Sequence, residues 1–542
     1  MNAPGTAPGS PPDSVAQRRS VEFVDCSLRD GHQSLLATRM SGTQCMAGLP
    51  AVRDAGYRCM ELWGGAVLDA SLRFTEEDPF ERLDAIRRCL DDAPQGPVQI
   101  RSLCRGQNLF GYNPYPDNVV SEFMKEAVRA GSAPANAPEQ TTQGFNKTAG
   151  VGAHRIRIFD ALNDIRNLVT ALMATKAFNG VAEAALSYTT SPVHDTDHFV
   201  RFARAALDCG ADALAIKDMA GLLHPADAFE LIEALQNEFP GVEITLHSHC
   251  TTGLACATYV VGMLTGVDKL DTGHGPLAGG TAQPPVELMQ WFADALGIDT
   301  NVDPSRFADI DQVLREQRAQ LADIDKNTDH VGNPWPLHPN DEQKRHIGRV
   351  IELLEQRERH AGDLAVALIE EKLMRPQGYP AADTAQLESQ VPGGMISNLQ
   401  SQLQDQGKLD LLPQILDEIP RVRKAAGYVP LVTPTSQIVG SQAAFNIILG
   451  EPYKQVSIPF RDVVIGKFGK LPGPVDARVL EKVSGGEPPY VGRAADLVDD
   501  VDLPKVFQSN GELIRSHRDL LLLLLFPMPA RTFLAKRNQA DE

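Results

Sequence analysis

The chain has 542 residues, of which 43% are hydrophobic and 22% are charged, and its formal net charge is -19. A chain of this length exceeds one compact core, so two or three domains are expected. The negative charge argues against a nucleic-acid backbone or an anionic membrane surface as the main partner. All eight cysteines lie between Cys26 and Cys256 without a Cys-x-x-Cys pair, which is typical of reduced thiols in a cytoplasmic protein.

Residues 1–18 are rich in Pro, Gly, Ala and Ser and have no apolar core. They are predicted to be a disordered lead, because a signal peptide needs such a core and a cleavage site. The longest purely aliphatic run is Leu520 to Leu525, which is far too short for a membrane span. We expect it to form a buried helix at a domain or subunit contact.

From Val21 to about Thr272, short apolar strands alternate with amphipathic helices. The predicted strands are Val21–Cys26, Cys59–Leu62, Val98–Leu103, Arg155–Phe159, Ala184–Tyr188, Ala213–Ile216, Ile244–His247 and Lys269–Asp271, and the helical patterns include Phe80–Leu90, Val119–Ala130, His198–Leu207 and Ala226–Glu238. Eight such units over roughly 250 residues predict an α/β fold, a (β/α)₈ TIM barrel, with a doubly wound open sheet as the alternative.

The positions of polar residues favour the barrel, because barrel active sites converge at the carboxyl ends of the strands. The polar residues at or just beyond predicted strand ends are Asp30, Arg105, Asp160, Lys217, His247 and His249. The rest of the chain is predicted to be a mainly helical domain covering the barrel mouth. The predicted division is a lead at 1–18, a barrel at 19–303 with a polar insertion at 131–152, a helical domain at 304–484 with an insertion at about 325–380, and a tail at 485–542.

The first predicted strand ends in an unusual group of polar side chains. Arg29, Asp30, His32 and Gln33 follow the apolar run, with Gly31 as a hinge. An apolar run of this kind reads as a buried strand, so its polar end would lie at the mouth of the sheet and is able to hold a metal or an anion. The alternative is that Asp30 caps a helix beginning near Gln33.

Three residues on neighbouring strands predict a metal site. His247 and His249 alternate on the seventh strand, so both imidazoles point to the same side. Strands seven and one are near neighbours in a closed barrel, so Asp30 supplies a third ligand. Without Asp30, a His-x-His pair is more often structural than metal-binding.

Lys217 is predicted to face the same mouth from the end of strand six. An ammonium beside a divalent cation loses its proton, and the neutral amine can react with carbon dioxide to give a carbamate, an oxygen ligand. The alternative is an ion pair with Asp218 or Asp160. The chemistry of the residues alone leaves both readings open.

Eight motifs then occur in one order along the chain. They are Leu28-Arg-Asp-Gly-His-Gln-Ser34, Leu62-Trp-Gly-Gly65, Cys104-Arg-Gly-Gln-Asn108, Phe159-Asp-Ala-Leu-Asn-Asp164, Ile216-Lys-Asp-Met-Ala-Gly221, Leu246-His-Ser-His249, Pro392-Gly-Gly-Met-Ile-Ser-Asn398 and Val432-Thr-Pro-Thr-Ser-Gln-Ile-Val-Gly440. From about residue 20 to 480 the chain resembles the carboxyltransferase component of biotin-dependent enzymes. That family includes pyruvate carboxylase, the oxaloacetate decarboxylase alpha subunit and the carboxyltransferase subunit of transcarboxylase.

The resemblance implies a divalent metal bound by Asp30, Lys217, His247 and His249, with Lys217 carbamylated. Zinc is our first choice, with manganese or cobalt as alternatives, because nitrogen and oxygen ligands alone do not discriminate among them.

The resemblance also implies the reaction, which moves a carboxyl group between carboxybiotin and a 2-oxo acid through an enolate. By match, Arg105 and Gln33 orient the 2-oxo acid, Arg29 assists with the enolate, and Thr433 shuttles a proton. The structural alternatives are a salt bridge for Arg105, a helix-start hydrogen bond for Gln33, and a turn residue before Pro434 for Thr433. Pyruvate and oxaloacetate are the first expected substrates, although a bulkier 2-oxo acid stays open.

The carrier of biotin is expected to be a separate protein. The family's biotinyl lysine lies between two methionines, and the one Met-Lys pair here, Met124-Lys125, is followed by Glu126. No biotin carboxylase region is found either, so a biotin carboxylase subunit is a further candidate partner, and a homodimer or larger complex is expected.

Two other readings compete with carboxyl transfer. The barrel of 3-hydroxy-3-methylglutaryl-CoA lyase and isopropylmalate synthase shares the Leu-Arg-Asp-Gly start and the His-x-His pair. It does not typically have a lysine like Lys217, and it lacks the Pro-Thr-Ser-Gln motif after Thr433. A non-enzymatic assembly scaffold is the third reading. Cys250 and His274 depart from the family pattern, and Cys250 is expected to be a small buried filler.

Overall fold

The computed structural model of the protein describes residues 19–133, 154–325 and 331–540. The predicted lead at 1–18 and residues 134–152 of the predicted insertion lie outside these ranges. The strands are β1 (Ser20–Asp25), β2 (Cys59–Gly64), β3 (Gln99–Cys104), β4 (Arg155–Phe159), β5 (Val181–Ser187), β6 (Ala213–Asp218), β7 (Glu243–Ser248), β8 (Lys269–Thr272) and the short β9 (Asp299–Thr300). The helices around them are α1 (His32–Leu35), α2 (Gly42–Arg53), α3 (Val67–Ala70), α4 (Pro79–Asp91), α5 (Asp117–Gly131), α6 (Val169–Ala177), α7 (Thr196–Asp208), α8 (Pro225–Glu238), α9 (Leu254–Thr265) and α10 (Val286–Leu296).

The first eight strands form a closed parallel barrel. They pair in chain order from β2 to β8, β8 pairs with β1, and β1 pairs back with β2 at Asp25 and Met60. Each predicted strand overlaps an observed one, so the predicted TIM barrel is confirmed and the open sheet is wrong. Closure brings β1 beside β8, which in turn pairs with β7.

The interior of the barrel is charged. In β4, Ile156 and Ile158 alternate with Arg155 and Arg157, and all four side chains are buried. Alternation places one set inside the barrel and the other under the surrounding helices. The inner set is ion-paired: Arg157 Nε lies 3.1 Å from Glu183 Oε2. Pairing offsets the desolvation of these charges, as burial at this depth requires.

The chain continues from the barrel into helices that pack on its outside. These are α11 (Phe307–Ala319), α12 (Asp341–Leu354) and α13 (Arg359–Ile369). Their buried side chains, such as Ile310, Val350 and Ala365, belong to the same hydrophobic cluster as the barrel core. In packing terms, this region therefore belongs with the barrel.

A second hydrophobic cluster consists of residues from Val391 to Val483 together with Leu162, which follows β4. It is built on α14 (Gln386–Ser389), α15 (Gly393–Asp405), α16 (Leu412–Ala425), α17 (Thr435–Ile448), α18 (Ile458–Val464) and α19 (Ala477–Ser484). The two buried clusters thus divide near residue 385, whereas the predicted boundaries at 303 and 484 stay predictions.

The chain then returns to the barrel through α20 (Leu503–Ser509), α21 (His517–Leu525) and α22 (Pro527–Ala540). Leu521, Leu522 and Leu525 join the barrel cluster, and Tyr115 Oη donates a hydrogen bond of 2.8 Å to the Leu525 carbonyl. The aliphatic run is therefore the buried domain contact that its sequence predicts. Among the described residues, none of the helices combines the length and apolar character needed to cross a membrane.

The helical domain covers the barrel mouth. Val432 packs against Leu103, Phe159 and Ala185, which lie on three successive strands. The carboxylate of Asp164, which follows β4, accepts a hydrogen bond of 2.7 Å from Lys470 N. The predicted position of the second domain over the mouth is confirmed by these contacts.

Candidate metal centre at the barrel mouth

The segment after β1 holds two of the predicted site residues in a π-helical turn, Ser27–Gly31. A Cβ on Gly31 would lie 2.5 Å from the Leu277 carbonyl oxygen, so only glycine allows this close approach. Arg29 and Asp30 are both buried by the turn. His32 is also buried but is not among the three side chains that converge as ligands.

Three lone-pair atoms meet at the mouth. Asp30 Oδ2 lies 3.4 Å from His247 Nε2 and 3.5 Å from His249 Nε2, and the two Nε2 atoms are 3.2 Å apart. His247 Nδ1 donates to Asp271 Oδ2 at 2.8 Å, and His249 Nδ1 donates to the Thr281 carbonyl at 2.6 Å. Because each Nδ1 carries the proton, both Nε2 atoms present lone pairs to the carboxylate. A cation placed among these three atoms would be attracted by all of them.

The spacing of these atoms fits a divalent ion. Ligand atoms about 2.1 Å from a tetrahedral ion lie about 3.4 Å from one another. The observed separations, 3.2 to 3.5 Å, match that value. Burial alone would raise the pKa of Asp30, but the neighbouring charges of Arg29 and Lys217 hold it well below its usual range. Asp30 is therefore held as a carboxylate, the form that could bind a metal ion.

Lys217 completes the group from the end of β6. Its Nζ lies 3.1 Å from His247 Nε2 and 5.9 Å from the centre of the Phe159 ring. Burial lowers the pKa of Lys217 from 10.5 to about 8, against the opposing charge of Asp30. Within residues 19–133, 154–325 and 331–540, no ion pair joins Lys217 to Asp218 or Asp160, which was the structural alternative.

A second convergent group lies deeper in the barrel, at Cys26, Glu61 and Asp271. Its charges are already satisfied by arginines: Arg101 pairs with Glu61 at 2.8 Å and with Asp271 at 2.7 Å. This group supports the first one, because Asp271 also orients His247.

Arg29 and Gln33 lie together beside Asp30. Arg29 Nη1 donates to Gln33 Oε1 at 3.1 Å and lies 3.1 Å from Asp30 Oδ1, while its Nε donates to Glu61 at 2.7 Å. Gly65, at φ +56°, closes over the pair, and a Cβ there would lie 2.8 Å from Gln33 Oε1. This glycine explains the second glycine of the Trp-Gly-Gly motif, which spans the end of β2.

Arg105 and Thr433 reach the mouth from other directions. Arg105 Nη1 donates to the Gly111 carbonyl at 2.9 Å and also to the carbonyl of Phe110. Thr433 follows Val432, which packs on Phe159. No contact in the described part of the chain joins either residue directly to the metal ligands.

Comparison with known proteins identifies the family. A model described as "Conserved carboxylase domain" matches residues 387–542, and one described as "HMGL-like" matches residues 122–314. The 5S subunit of methylmalonyl-CoA carboxyltransferase from Propionibacterium freudenreichii subsp. shermanii is 33% identical over 535 residues, which cover 97% of this chain and 89% of that protein. The chain belongs to the biotin-dependent carboxyltransferase family.

Two further relatives agree with this carboxyltransferase assignment. The 2-oxoglutarate carboxylase large subunit of Hydrogenobacter thermophilus is 31% identical, and the match covers 97% of this chain and 70% of that protein. The carboxyl transferase domain of Rhizobium etli pyruvate carboxylase, solved with pyruvate, superposes with a TM-score of 0.72 at 26% identity. That match covers 96% of this chain and 78% of that one. The competing lyase reading fails to account for the conserved carboxylase domain at the carboxyl end.

Two residues of this carboxyltransferase site escaped the sequence analysis. Gln283 Nε2 donates to Asp30 Oδ2 at 2.8 Å and lies 3.2 Å from His249 Nε2. Gln283 follows a glycine-rich loop, where the sequence gives no signal. Asp271 orients His247. It is the next-to-last residue of β8, which pairs with β7, and this position could have identified it from the sequence.

Proposed function

We propose that this carboxyltransferase moves a carboxyl group between carboxybiotin, presented by a separate carrier protein, and a 2-oxo acid. The pyruvate and oxaloacetate pair is our first choice of substrate. The observation that carries the proposal is the lone-pair cluster of Asp30, His247 and His249, with Lys217 beside it, beneath the segment that bears Thr433. The 2-oxoglutarate carboxylase relative keeps a larger 2-oxo acid as the alternative substrate.

The resident ion would be held by Asp30, His247, His249 and a carbamate on Lys217. The lowered pKa of Lys217 supports this modification, because only the neutral amine attacks carbon dioxide. Zinc suits a site of two imidazoles and carboxylate-like oxygens, with manganese and cobalt as alternatives. When bound, a divalent ion supplies Lewis-acid stabilisation to the oxo group of the substrate.

The chain's own side chains would orient the substrate. Arg105, whose guanidinium is fixed by the carbonyls of Phe110 and Gly111, would bind the substrate carboxylate, a task that suits its planar fork. Gln33 would help to hold the oxo acid. Arg29 would stabilise the negative charge that develops as the methyl carbon loses its proton.

Thr433 would relay the proton. As the N–C bond of carboxybiotin breaks and the new C–C bond forms, one proton leaves the acceptor methyl and one is gained by the biotin nitrogen. A threonine hydroxyl is a weak acid and a weak base, so it can serve only by accepting one proton as it donates the other. That demands accurate placement, which the packing of Val432 on Phe159 supports.

The proposal includes a cytoplasmic multisubunit complex. The transcarboxylase and 2-oxoglutarate carboxylase relatives are both named as subunits. A biotin carrier protein, a biotin carboxylase subunit and a second copy of this chain are the proposed partners. The eight cysteines, all free in the structure, agree with a reducing compartment.

The test is biotin-stimulated decarboxylation of oxaloacetate by the metal-replete protein. Lys217→Ala and Thr433→Ala are each expected to lower kcat by about 100-fold or more. Lys217→Arg keeps a positive charge but cannot form a carbamate, so it should be as inactive as Lys217→Ala. Thr433→Ser keeps the hydroxyl and should retain most of the activity.

Equal rates in wild type, Lys217→Ala and Thr433→Ala would refute both roles. A Lys217→Arg protein with full activity would show that only charge matters. Biotin-independent condensation or cleavage of an acyl-CoA would instead favour the lyase and synthase reading.

A further inference from the structure

A cavity of about 130 Å³ lies apart from the metal centre. It is bounded by α10, by the start of α11 and by the loop before α12. Its lining includes Glu287, Trp291, Phe307, Trp335 and Leu337. None of these residues is among the metal ligands or the proposed substrate-binding residues.

Aromatic rings form much of the wall. The rings of Trp291 and Trp335 meet edge to face, with centroids 5.0 Å apart and an interplanar angle of 80°. Trp335 Nε1 donates to Tyr379 Oη at 3.1 Å, which fixes the orientation of that indole. Electron-rich faces of tryptophan attract cations, and most strongly where water is excluded.

Glu287 gives this cavity a negative charge. The residue is 4% exposed, and its Oε1 accepts a hydrogen bond of 3.1 Å from Gly275 N. Its Oε2 is buried and has no hydrogen-bond partner among the described residues. A buried carboxylate oxygen without a partner is costly, and a positive charge in the adjoining cavity would offset part of that cost.

The neighbouring groups contact only one of the two carboxylate oxygens of Glu287. His274 Nδ1 lies 3.4 Å from Glu287 Oε1, and its Nε2 lies 3.0 Å from Tyr57 Oη. His274 therefore contacts Glu287 through Oε1, and Oε2 keeps no hydrogen-bond partner among the described residues. The nearby Asp311 is paired with Arg315 at 2.9 Å, so that guanidinium is already engaged.

The volume of the cavity and the residues that line it indicate which class of ligand it could bind. A cavity of about 150 Å³ can hold benzene, so this one suits a ligand of similarly few heavy atoms. Metal ions such as calcium need several oxygen ligands, whereas this lining has one carboxylate, two neutral polar residues, Gln290 and Ser305, and otherwise apolar or aromatic residues. We propose that this cavity binds a small organic ammonium ion, with Glu287 as its counter-ion and Trp291 and Trp335 as its walls.

Choline is the probe, and 3,3-dimethylbutan-1-ol is its control, since that alcohol has the same shape without the charge. Each is titrated into the full-length protein by calorimetry and followed by tryptophan fluorescence, because two of the three tryptophans line the cavity. Choline is expected to bind at least about tenfold more tightly than the alcohol.

Variants then test the assigned residues. Glu287→Gln is expected to weaken choline binding by at least about tenfold, whereas Glu316→Gln removes an equal charge from the exposed face of α11 and should leave binding unchanged. Leu337 is 50% exposed at the rim, so substitution there should preserve the fold. Leu337→Arg should abolish choline binding by repulsion, and Leu337→Gln should retain it.

Equal affinity for choline and the neutral alcohol would overturn the proposal, because the cavity would then be merely apolar. The absence of saturable choline binding at tens of millimolar would also overturn it. If Glu287→Gln does not fold, the Leu337 pair decides, and equal binding by its two variants contradicts the proposal.

Discussion

Asp160, a buried carboxyl beneath the helical domain, should make the stability of the protein depend on pH. It follows β4, where its Oδ2 accepts hydrogen bonds from Leu162 N at 2.9 Å and Asp164 N at 3.0 Å. Its Oδ1 accepts one of 3.1 Å from Asn167, which also donates to the Phe468 carbonyl of the helical domain. Burial raises the pKa of Asp160 from 3.8 to about 7.

The raised pKa makes stability fall as pH rises. The carboxyl holds its proton more tightly in the folded protein than in the unfolded chain. Its contribution to the free energy of unfolding is therefore complete below the unfolded pKa of 3.8. This stabilisation is lost as the pH rises from 3.8 to about 7. The pKa difference of about 3.2 corresponds to a loss of about 4 kcal/mol in the free energy of unfolding. Asp160→Asn stays neutral and can still accept from both backbone N–H groups, so it removes this dependence.

The assay is urea unfolding of wild type and Asp160→Asn at intervals from about pH 5 to about pH 8. The stability of Asp160→Asn relative to wild type is expected to rise across this window and then level off. Asp197→Asn, an exposed substitution on α7, is the control and should show no such trend. A difference between wild type and Asp160→Asn that is independent of pH would refute the reasoning.

Three further substitutions test the site and its cover. Gln283→Leu removes the donor to Asp30 and is expected to lower metal affinity about tenfold, measured by competition with a chelator. Gly65→Ala places a Cβ 2.8 Å from Gln33 Oε1 and should raise KM for the oxo acid more than it lowers kcat. Val432→Ala removes two buried methyl groups, about 2 kcal/mol, and should increase proteolytic cleavage of the helical domain while lowering decarboxylation.

Each of these has a matched control. Gly210 also has a positive φ, +96°, but a Cβ there meets nothing within 4 Å, so Gly210→Ala should leave KM unchanged. Val491 is 84% exposed, and Val491→Ala should not affect cleavage. Gln312→Leu, on the surface of α11, should leave metal affinity intact. Variants indistinguishable from their controls would contradict the assigned contacts.

The barrel was predictable because its strands are continuous apolar runs between helical patterns. The convergence of Asp30, His247 and His249 was also predictable, since parallel strands end at one face of a closed barrel. The charged interior was harder to foresee. Arg155 and Arg157 alternate with isoleucine, the pattern of a half-exposed strand, and only closure of the sheet buries both faces.

The contacts that support the ligands lay beyond the reach of sequence patterns. Gln283 and Asp30 are 253 positions apart, and no periodicity links a loop glutamine to a strand-end carboxylate. The sequence also does not specify what the helices near residues 325–380 pack against. Their apolar side chains pack on the outside of the barrel, a choice of partner that amphipathicity alone does not determine.

The return of the polypeptide to the barrel constrains how the helical domain can move. The chain leaves the barrel cluster near residue 385 and packs against it again from Val501 onward, so the helical domain is attached to the barrel at both of its ends. Because it is tethered twice, the helical domain stays close to the strand ends even when its contacts with them break, so its effective concentration there is high. Cutting the chain at either attachment should leave the helical domain tethered at one end only, and so less often in contact with the strands.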